Sequence, residues 1–170
     1  MSERWDVSPP DVYQGEAGVP YLVDRVFERV MDRHHATGKS ISLIGWSLGG
    51  VLAREVARDL PDIVDRVVTM GTPVSGGPKY TAAAGLFLSR GQDLDWIEGE
   101  INLRARREIS QPITAIFSKT DGIVGCEAAQ DHHNSRVKHI EIDAAHLGMG
   151  FNQKIWGHVT EALGAPISAV

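Results

Sequence analysis

Apolar residues in the first third of the chain follow two different spacings. After Pro20 they recur every three or four positions, as on one face of a helix, until Gly38 ends the pattern. The positions concerned are Leu22, Val23, Val26, Phe27, Val30 and Met31. Residues 40–46 instead form a short continuous apolar run with β-branched residues, which is typical of a strand buried on both faces. We therefore expect the regular structure to begin with a helix followed by a buried strand.

The alternation between helical spacing and short apolar runs continues to the end of the chain. A second helix is predicted at residues 48–60 and is closed by Pro61. Further strands are predicted at residues 66–70, 113–118 and 137–142, and a last helix at about residues 152–163. Strands that alternate with helices favour the α/β class. The pattern thus predicts a parallel sheet of about four strands, flanked by helices on both faces.

Two segments fall outside this alternation. Residues 1–18 are polar and contain several prolines and glycines, which predicts an irregular lead-in. Residues 71–111 are long for a connection between a strand and the next element, and such loops usually serve function. Apolar residues predict a helix within this segment, namely Leu94, Ile97 and Ile101. Glu100 and Arg104 have the spacing of an ion pair one turn apart on that helix.

Composition and charge narrow the class of protein. The 170 residues carry a net charge of −5 and a pI of about 5.8, without a basic cluster that could track phosphates, so we expect no nucleic-acid partner. The single cysteine, Cys126, excludes an internal disulfide and agrees with a reducing compartment. The first residues resemble no signal peptide, and no apolar run approaches the ~20 residues of a membrane span. We therefore expect a cytoplasmic protein without a membrane span.

A glycine-rich turn joins the first predicted strand to the second predicted helix. Gly45, Trp46, Ser47, Leu48 and Gly49 match the pattern G-x-S-x-G in the strand–turn–helix setting that it requires. A serine on such a turn has strained backbone angles, and glycines two residues before and after it avoid collisions. The helix begins beneath the serine, so the amide of Leu48 is the natural first oxyanion donor. The alternative is a plain glycine-rich turn between a strand and a helix. The next residue, Gly50, could serve close packing of the helix against the strand alone.

A serine nucleophile needs a base, and the base needs a partner that holds its tautomer. Asp121 and His146 each follow a predicted strand, in the chain order Ser, Asp, His. They therefore lie beyond the carboxyl ends of the strands, where α/β proteins bind ligands. Taken singly, Asp121 also fits an ordinary Asp-Gly turn, His146 fits a helix cap or a surface position, and Asp143 is a rival acid. Their joint order favours Ser47 as nucleophile, Asp121 as acid and His146 as base.

Other residues with reactive side chains do not form a comparable pattern. His132 and His133 lie in a polar stretch with Asp131 and Asn134, where a metal site would need further ligands at suitable spacing. Cys126 lacks a neighbouring base and is predicted to be a small packed residue. We therefore predict no metal site.

These motifs resemble the α/β-hydrolase superfamily, in particular its bacterial esterase and lipase-like members. The segments that carry the resemblance, within residues 20–165, are SLIGWSLGGVLAREVAR, VVTMGTPVSGGPKYTAAA, ITAIFSKTDGIVG and EIDAAHLGMGFN. The resemblance implies a single domain over residues 1–170, with Ser47, Asp121 and His146 as the catalytic triad. It also implies hydrolysis of a small-molecule ester through an acyl-enzyme, no cofactor, and a cap over the substrate pocket at about residues 74–110.

The chain departs from this superfamily on the N-terminal side of the sheet. Members normally have several strands before the nucleophile strand, and one of these leads into a loop that supplies the second oxyanion amide. Here about 40 residues precede the Ser47 strand, and they predict one helix and no such strand. We therefore expect a truncated α/β-hydrolase fold with the Ser47 strand at the sheet edge, which invites pairing with another chain. The explanations left open are a piece of a longer enzyme, a homodimer or partner at this edge, and an irregular cover by residues 1–18.

Two functions follow from these expectations. The first is a serine hydrolase that cleaves carboxylic esters. The second is a catalytically weak or inactive hydrolase that acts as an interaction module or needs a partner chain, because losing one oxyanion amide lowers kcat by ~10²–10³.

Overall fold

The computed structural model describes residues 19–164, and these form one four-stranded parallel sheet. The strands are β1 (Ile41–Trp46), β2 (Val64–Met70), β3 (Ile113–Phe117) and β4 (Val137–Glu141). Their spatial order follows their order in the sequence. The predicted α/β class, with a parallel sheet of four strands, is therefore confirmed. The predicted irregular lead-in at residues 1–18 lies outside the described residues.

Five α-helices connect or flank these strands in residues 19–164. They are α1 (Val19–Thr37), α2 (Leu48–Asp59), α3 (Ala84–Ser89), α4 (Leu94–Ala105) and α5 (Gln153–Ala162). Short 3₁₀ helices lie at Gly77–Tyr80, Glu127–Ala129 and His146–Phe151. The side chains of Asp93 and Asn152 accept hydrogen bonds from the first amides of α4 and α5, so both helices begin at a polar cap. The sequence pattern predicted all of the α-helices except α3.

The two sides of the sheet carry separate hydrophobic cores. The core beneath α1 and α2 includes Val30, Ala53, Val56, Ala57, Leu60, Val64, Val67, Ile109 and Ile113. The core beneath α5 includes Val68, Met70, Ile116, Met149, Ile155 and Val159. Val67 and Val68 are neighbours on β2 but belong to different cores, because successive side chains of a strand point to opposite faces. Helices therefore cover both faces of the sheet, as predicted.

Strand β1 lies at one edge of the sheet in the part of the chain that the structure describes. It pairs with β2 alone, and the amides of Ile41 and Ser47 donate to Ile63 and Met70 on that side. The amides of alternate residues along β1 face away from β2, where no strand of residues 19–164 accepts them. The expectation that the Ser47 strand occupies an edge is confirmed for the described residues.

A buried ion pair between α2 and the loop before β4 was not predicted. Arg54 Nη2 lies 2.5 Å from Asp131 Oδ2, and their side chains are 6% and 0% exposed. The amide group of Asn134 also donates to Asp131, over 2.8 Å. Asp131 and Asn134 lie in a stretch of the sequence that is polar, yet both residues are buried. This polar cluster joins helix α2 to the segment between β3 and β4.

The segment between β2 and β3 contains a 3₁₀ helix, α3 and α4. Lys79 Nζ lies 2.7 Å from Asp95 and 2.6 Å from Glu98, so the 3₁₀ helix is bound to α4. Arg104 on α4 pairs with Asp59 of α2 over 3.0 Å and with Glu55. The predicted partner of Arg104 within its own helix was therefore wrong, because the carboxylates of α2 lie closer. These contacts bind α4 to the helix that follows Ser47.

Candidate active site

Ser47 lies on a sharp turn between β1 and α2. Its φ is 54° and its ψ is −124°, and it is the one non-glycine residue of positive φ in residues 19–164. An L-residue adopts such angles only where the surrounding structure compels it. The Ser47 amide donates to the Met70 carbonyl over 2.9 Å, and α2 begins at the next residue. The turn is therefore held by the end of β2 on one side and by the helix on the other.

Of the two glycines predicted to avoid collisions around Ser47, Gly45 has that role and Gly49 does not. A Cβ at Gly45 would lie 2.3 Å from the Gly49 carbonyl oxygen, so Gly45 is needed for the turn to close. A Cβ at Gly49 would meet nothing within 4 Å, so the predicted collision at that position was wrong. Gly50 is instead the crowded position, where a Cβ would lie 1.9 Å from Thr72 Oγ1. The second close approach thus lies between α2 and the segment after β2.

Asp121 and His146 form a buried hydrogen-bonded pair. Asp121 Oδ2 lies 2.8 Å from His146 Nδ1, and the two side chains are 2% and 5% exposed. The His146 amide also donates to the Asp121 carbonyl, over 2.9 Å. A carboxylate accepts but does not donate, so Nδ1 carries the proton and Nε2 is left as an acceptor. The structure therefore brings together the predicted acid and the predicted base.

The second carboxylate oxygen of Asp121 is held by its own loop. Oδ1 accepts hydrogen bonds from the amides of Ile123 (2.9 Å) and Val124 (2.6 Å). Both oxygens of the buried carboxylate are thus satisfied, and the side chain is fixed in orientation. The rival acid, Asp143, accepts a hydrogen bond from Thr120 Oγ1 over 2.6 Å and not from His146. The geometry therefore assigns Asp121 as the partner of the histidine.

Two residues next to the strand ends bring the Asp–His pair close to the turn. A Cβ at Gly71, directly after β2, would lie 2.9 Å from Asp121 Oδ2 and 3.1 Å from His146 Nδ1. The pair therefore lies over the end of β2, the neighbour of β1. On the other side, the rings of Trp46 and His146 have centroids 5.7 Å apart. His146 thus contacts the residue that precedes Ser47. The role of Gly71 was not predicted from the sequence.

No hydrogen bond joins the Ser47 hydroxyl to His146 in residues 19–164. Within residues 19–164, Ser47 Oγ has no hydrogen-bond partner. Nucleophile–base hydrogen bonds are often long in structures without substrate and tighten when substrate binds. The Leu48 amide belongs to the first turn of α2, whose N–H groups have no partner within the helix. The site thus presents a serine, a hydrogen-bonded His–Asp pair and the start of α2 with the Leu48 amide, all beyond the carboxyl ends of the strands.

The described residues contain neither a candidate metal site among the other histidines nor a helix that could span a membrane. In the described part of the chain, no group of three or more His, Cys, Asp or Glu residues is placed to hold a metal ion. His139 Nε2 accepts from the Asp131 amide over 3.0 Å, and His158 lies on α5 near Glu161. Among the helices of residues 19–164, none combines the length and apolar character of a membrane-spanning segment.

Comparison with known proteins gives structural matches only. No protein-family model and no curated protein sequence matches the chain. An esterase from Pyrococcus furiosus matches with a TM-score of 0.66 and 19% identity, over 88% of this chain and 65% of that chain. A lipase-esterase related protein from Clostridium acetobutylicum matches with a TM-score of 0.66 and 15% identity, over 87% and 79% of the two chains. The chain thus spans just under two thirds of the length of the Pyrococcus esterase.

A mouse protein, alpha/beta hydrolase domain-containing protein 10, matches with a TM-score of 0.62 and 15% identity, over 88% of this chain and 69% of that chain. These matches cover 87% to 88% of the chain, whose residues 19–164 form the parallel sheet with alternating helices. The chain therefore has the α/β-hydrolase fold.

Proposed function

We propose that the protein is a serine hydrolase that cleaves carboxylic esters through an acyl-enzyme intermediate. The observation that carries the proposal is the buried Asp121–His146 pair, with its 2.8 Å hydrogen bond, beside the strained turn at Ser47. A serine with φ of 54° is costly in a turn that has only a structural role. A serine on such a turn, together with an imidazole whose tautomer is fixed by a carboxylate, is the arrangement of a nucleophile and its base.

In the first half of the proposed reaction, the ester carbonyl lies against the start of α2. His146 Nε2 accepts the proton of Ser47 Oγ as that oxygen attacks the carbonyl carbon. The negative charge that develops on the carbonyl oxygen is stabilised by the Leu48 amide and the positive end of α2. The tetrahedral intermediate then collapses, the bond to the alcohol oxygen breaks, and His146 donates its proton to the departing alkoxide.

In the second half, water releases the acid. His146 Nε2 accepts a proton from water, which attacks the acyl carbon and forms a second tetrahedral intermediate. Its collapse breaks the bond to Ser47 Oγ, which regains a proton from His146. Asp121 stays an acceptor throughout, stabilising the imidazolium through the bond at Nδ1. The amides of Ile123 and Val124 hold the carboxylate during both halves.

Apolar surface near His146 supports an ester with an apolar portion. On the 3₁₀ helix that begins at His146, Leu147 and Phe151 are 68% and 86% exposed. Among the structural matches, one is named an esterase and another, from Paleococcus ferrophilus, a monoacylglycerol lipase. Both names agree with an ester as substrate, and the predicted cap at about residues 74–110 is the segment that we propose to set its size.

The proposal is tested by labelling with a fluorophosphonate probe and by turnover of p-nitrophenyl esters of short and long chain. We expect Ser47→Ala to abolish labelling and to lower kcat by up to about 10⁶-fold, the effect of removing the nucleophile from a triad. Ser40→Ala removes an exposed serine hydroxyl just before β1, at the opposite end of that strand from Ser47, and is the matched control, with labelling and turnover unchanged. Labelling that persists in Ser47→Ala would exclude Ser47 as nucleophile.

The competing function is a partner-dependent or inactive hydrolase that works as an interaction module. The open edge at β1 is the observation that favours it, because backbone groups beside the nucleophile strand face no strand in residues 19–164. A wild-type protein that is folded by circular dichroism but is not labelled would support this function over ester hydrolysis.

A further inference from the structure

The loops that leave β3 and β4 run side by side beyond the ends of the strands. The Ile142 amide donates to the Phe117 carbonyl over 2.9 Å, directly after the last paired residues of β3 and β4. The His146 amide donates to the Asp121 carbonyl, also over 2.9 Å. The two backbones are therefore connected at the start of the loops and again at the Asp–His pair. What lies between these two connections determines how accurately Asp121 meets His146.

Ser118 occupies this interval and bonds to both loops. Its side chain is buried, with the residue 2% exposed. Its Oγ accepts the amide of Thr120 over 3.0 Å, within its own loop, and the amide of Ala144 over 3.3 Å, in the loop that leads to His146. It also lies 3.0 Å from Thr120 Oγ1. One buried hydroxyl thus connects the residues that directly precede Asp121 with those that directly precede His146.

The direction of these hydrogen bonds follows from the chemistry of the groups. A carboxylate only accepts, so the hydroxyl of Thr120 must donate to Asp143 Oδ1 over 2.6 Å. Thr120 then has no proton left for Ser118, and Ser118 must donate to Thr120 Oγ1. The result is a directed chain from Ser118 through Thr120 to Asp143. The Ser118 hydroxyl donates once and accepts twice, and both of its partner loops carry a member of the proposed triad.

We propose that Ser118, acting with Thr120 and Asp143, is a positioning residue for the Asp121–His146 pair. The inference rests on the proposed function, in which His146 must present Nε2 to Ser47. Asp121 is already held by its own loop, through the Ile123 and Val124 amides. The loop of His146 is held to it by the bonds at Ser118 and Asp143. Weakening these bonds should displace the His146 imidazole and leave the residues that bind the substrate in place.

This role predicts a loss of kcat with little change of KM. A displacement of about 1 Å in a catalytic group lowers rates by up to about 10²-fold. We expect Ser118→Ala to lower kcat by about ten- to a hundredfold and to leave KM within about twofold. Thr120 is exposed, so Thr120→Val removes its hydroxyl with little risk to folding. We expect a smaller fall of kcat in Thr120→Val and recovery in Thr120→Ser, which keeps the hydroxyl.

The experiment combines steady-state kinetics with proton NMR of the hydrogen that lies between His146 Nδ1 and Asp121. We expect its signal in the wild type, and broadening or faster exchange with water in Ser118→Ala and Thr120→Val. Lys119→Gln is the matched control, because its 2.9 Å ion pair with Glu141 also joins the ends of β3 and β4 but uses only exposed side chains. Its signal and kcat should equal those of the wild type.

The NMR signal separates failure of this inference from failure of the proposed function. If Ser118→Ala and Thr120→Val fold but keep the wild-type signal and exchange rate, the positioning role is overturned, whatever the activity. If the wild type shows the signal, the variants weaken it and no ester is hydrolysed, the positioning role stands for the pair and the proposed reaction fails. An equal loss of kcat in Thr120→Ser and Thr120→Val would also overturn the positioning role, since the hydroxyl would then be irrelevant.

Discussion

Backbone conformation at single residues determines whether the reactive groups can approach one another. Ser47 and Gly71 follow adjacent strands, and both have positive φ, of 54° and 50°. At Ser47 this conformation turns the chain from β1 into α2. At Gly71 it lets the backbone pass beneath the Asp121–His146 pair, since a Cβ there would lie 2.9 Å from Asp121 Oδ2. The absence of a side chain at Gly71 is therefore part of the site.

We predict that Gly71→Ala disrupts the Asp–His pair. The added Cβ would also lie 2.9 Å from Met149 Sδ, and Met149 is fully buried, so the neighbours have little room to yield. We expect a fall of ester turnover of up to about 10²-fold, the effect of misplacing a catalytic group. Gly38→Ala is the control, because Gly38 also has positive φ, of 65°, but open space around it. Both variants carry about 1–2 kcal/mol of backbone strain. Equal turnover in the two would show that the crowding is irrelevant.

Residue type and order were enough to predict that Ser47, Asp121 and His146 follow strand ends of one sheet, but not which residues support them. Each of the three follows a strand, and a parallel sheet places such positions at one edge, so the sequence pattern predicts their proximity. Gly71 is needed because the side chains of Asp121, His146 and Met149, all far from it in the sequence, meet there. Nothing near Gly71 in the sequence reports this. The predicted crowding at Gly49 was wrong for the same reason, since collisions depend on neighbours in space.

Between elements, the buried pair of Arg54 and Asp131 attaches α2 to the loop before β4. Burial alone would raise the pKa of Asp131, but the Arg54 guanidinium and hydrogen bonds from His133 and Asn134 outweigh it and lower the pKa. Breaking a buried pair from one side leaves the other charge without compensation. The pair therefore stabilises the helix that begins beneath Ser47, at a distance from the reacting groups.

We predict that Asp131→Asn lowers the free energy of unfolding by about 3–5 kcal/mol at neutral pH, the usual effect of breaking a buried pair. Since the folded-state pKa is lowered, this stabilisation is present above the unfolded pKa of about 3.9 and is lost as the pH falls further. The difference between wild type and variant should therefore narrow on acidification. Urea denaturation at several pH values measures it. Asp95→Asn, at an exposed pair with Lys79, should change stability by less than about 1 kcal/mol.

The elements themselves were predictable in proportion to their length and apolar pattern. Strands β1 and β3 are largely apolar runs, and α1, α2 and α5 have apolar residues at helical spacing, so the sequence pattern was sufficient for these elements. Helix α3 has six residues and none of them is buried, so no periodic signal exists. The burial of Arg54 was missed because arginine is usually exposed. In addition, its partner, Asp131, is far away in the chain.

For the whole molecule, the open side of β1 is the feature that the fold leaves unexplained within residues 19–164. The strand pairs with β2 on one side only, and no charged residue lies on it to discourage pairing with another chain. Its sequence, ISLIGW, is largely apolar. We therefore propose that two copies of the chain associate through this edge, which would also bring a second chain close to the Ser47 turn.

Self-association through β1 is tested with a pair of substitutions at Ser42, the exposed residue of the strand. The amides of Ile41 and Ser47 point toward β2, so by alternation the Ser42 amide points to the open side. Ser42→Pro removes that donor, whereas Ser42→Ala keeps it, and both lose the 2.7 Å hydrogen bond to Asp65. We expect size-exclusion chromatography with light scattering to show dimers for wild type and Ser42→Ala, and monomers for Ser42→Pro. A wild type that stays monomeric at high concentration would exclude this interface, and a dimeric Ser42→Pro would place the contact on another surface.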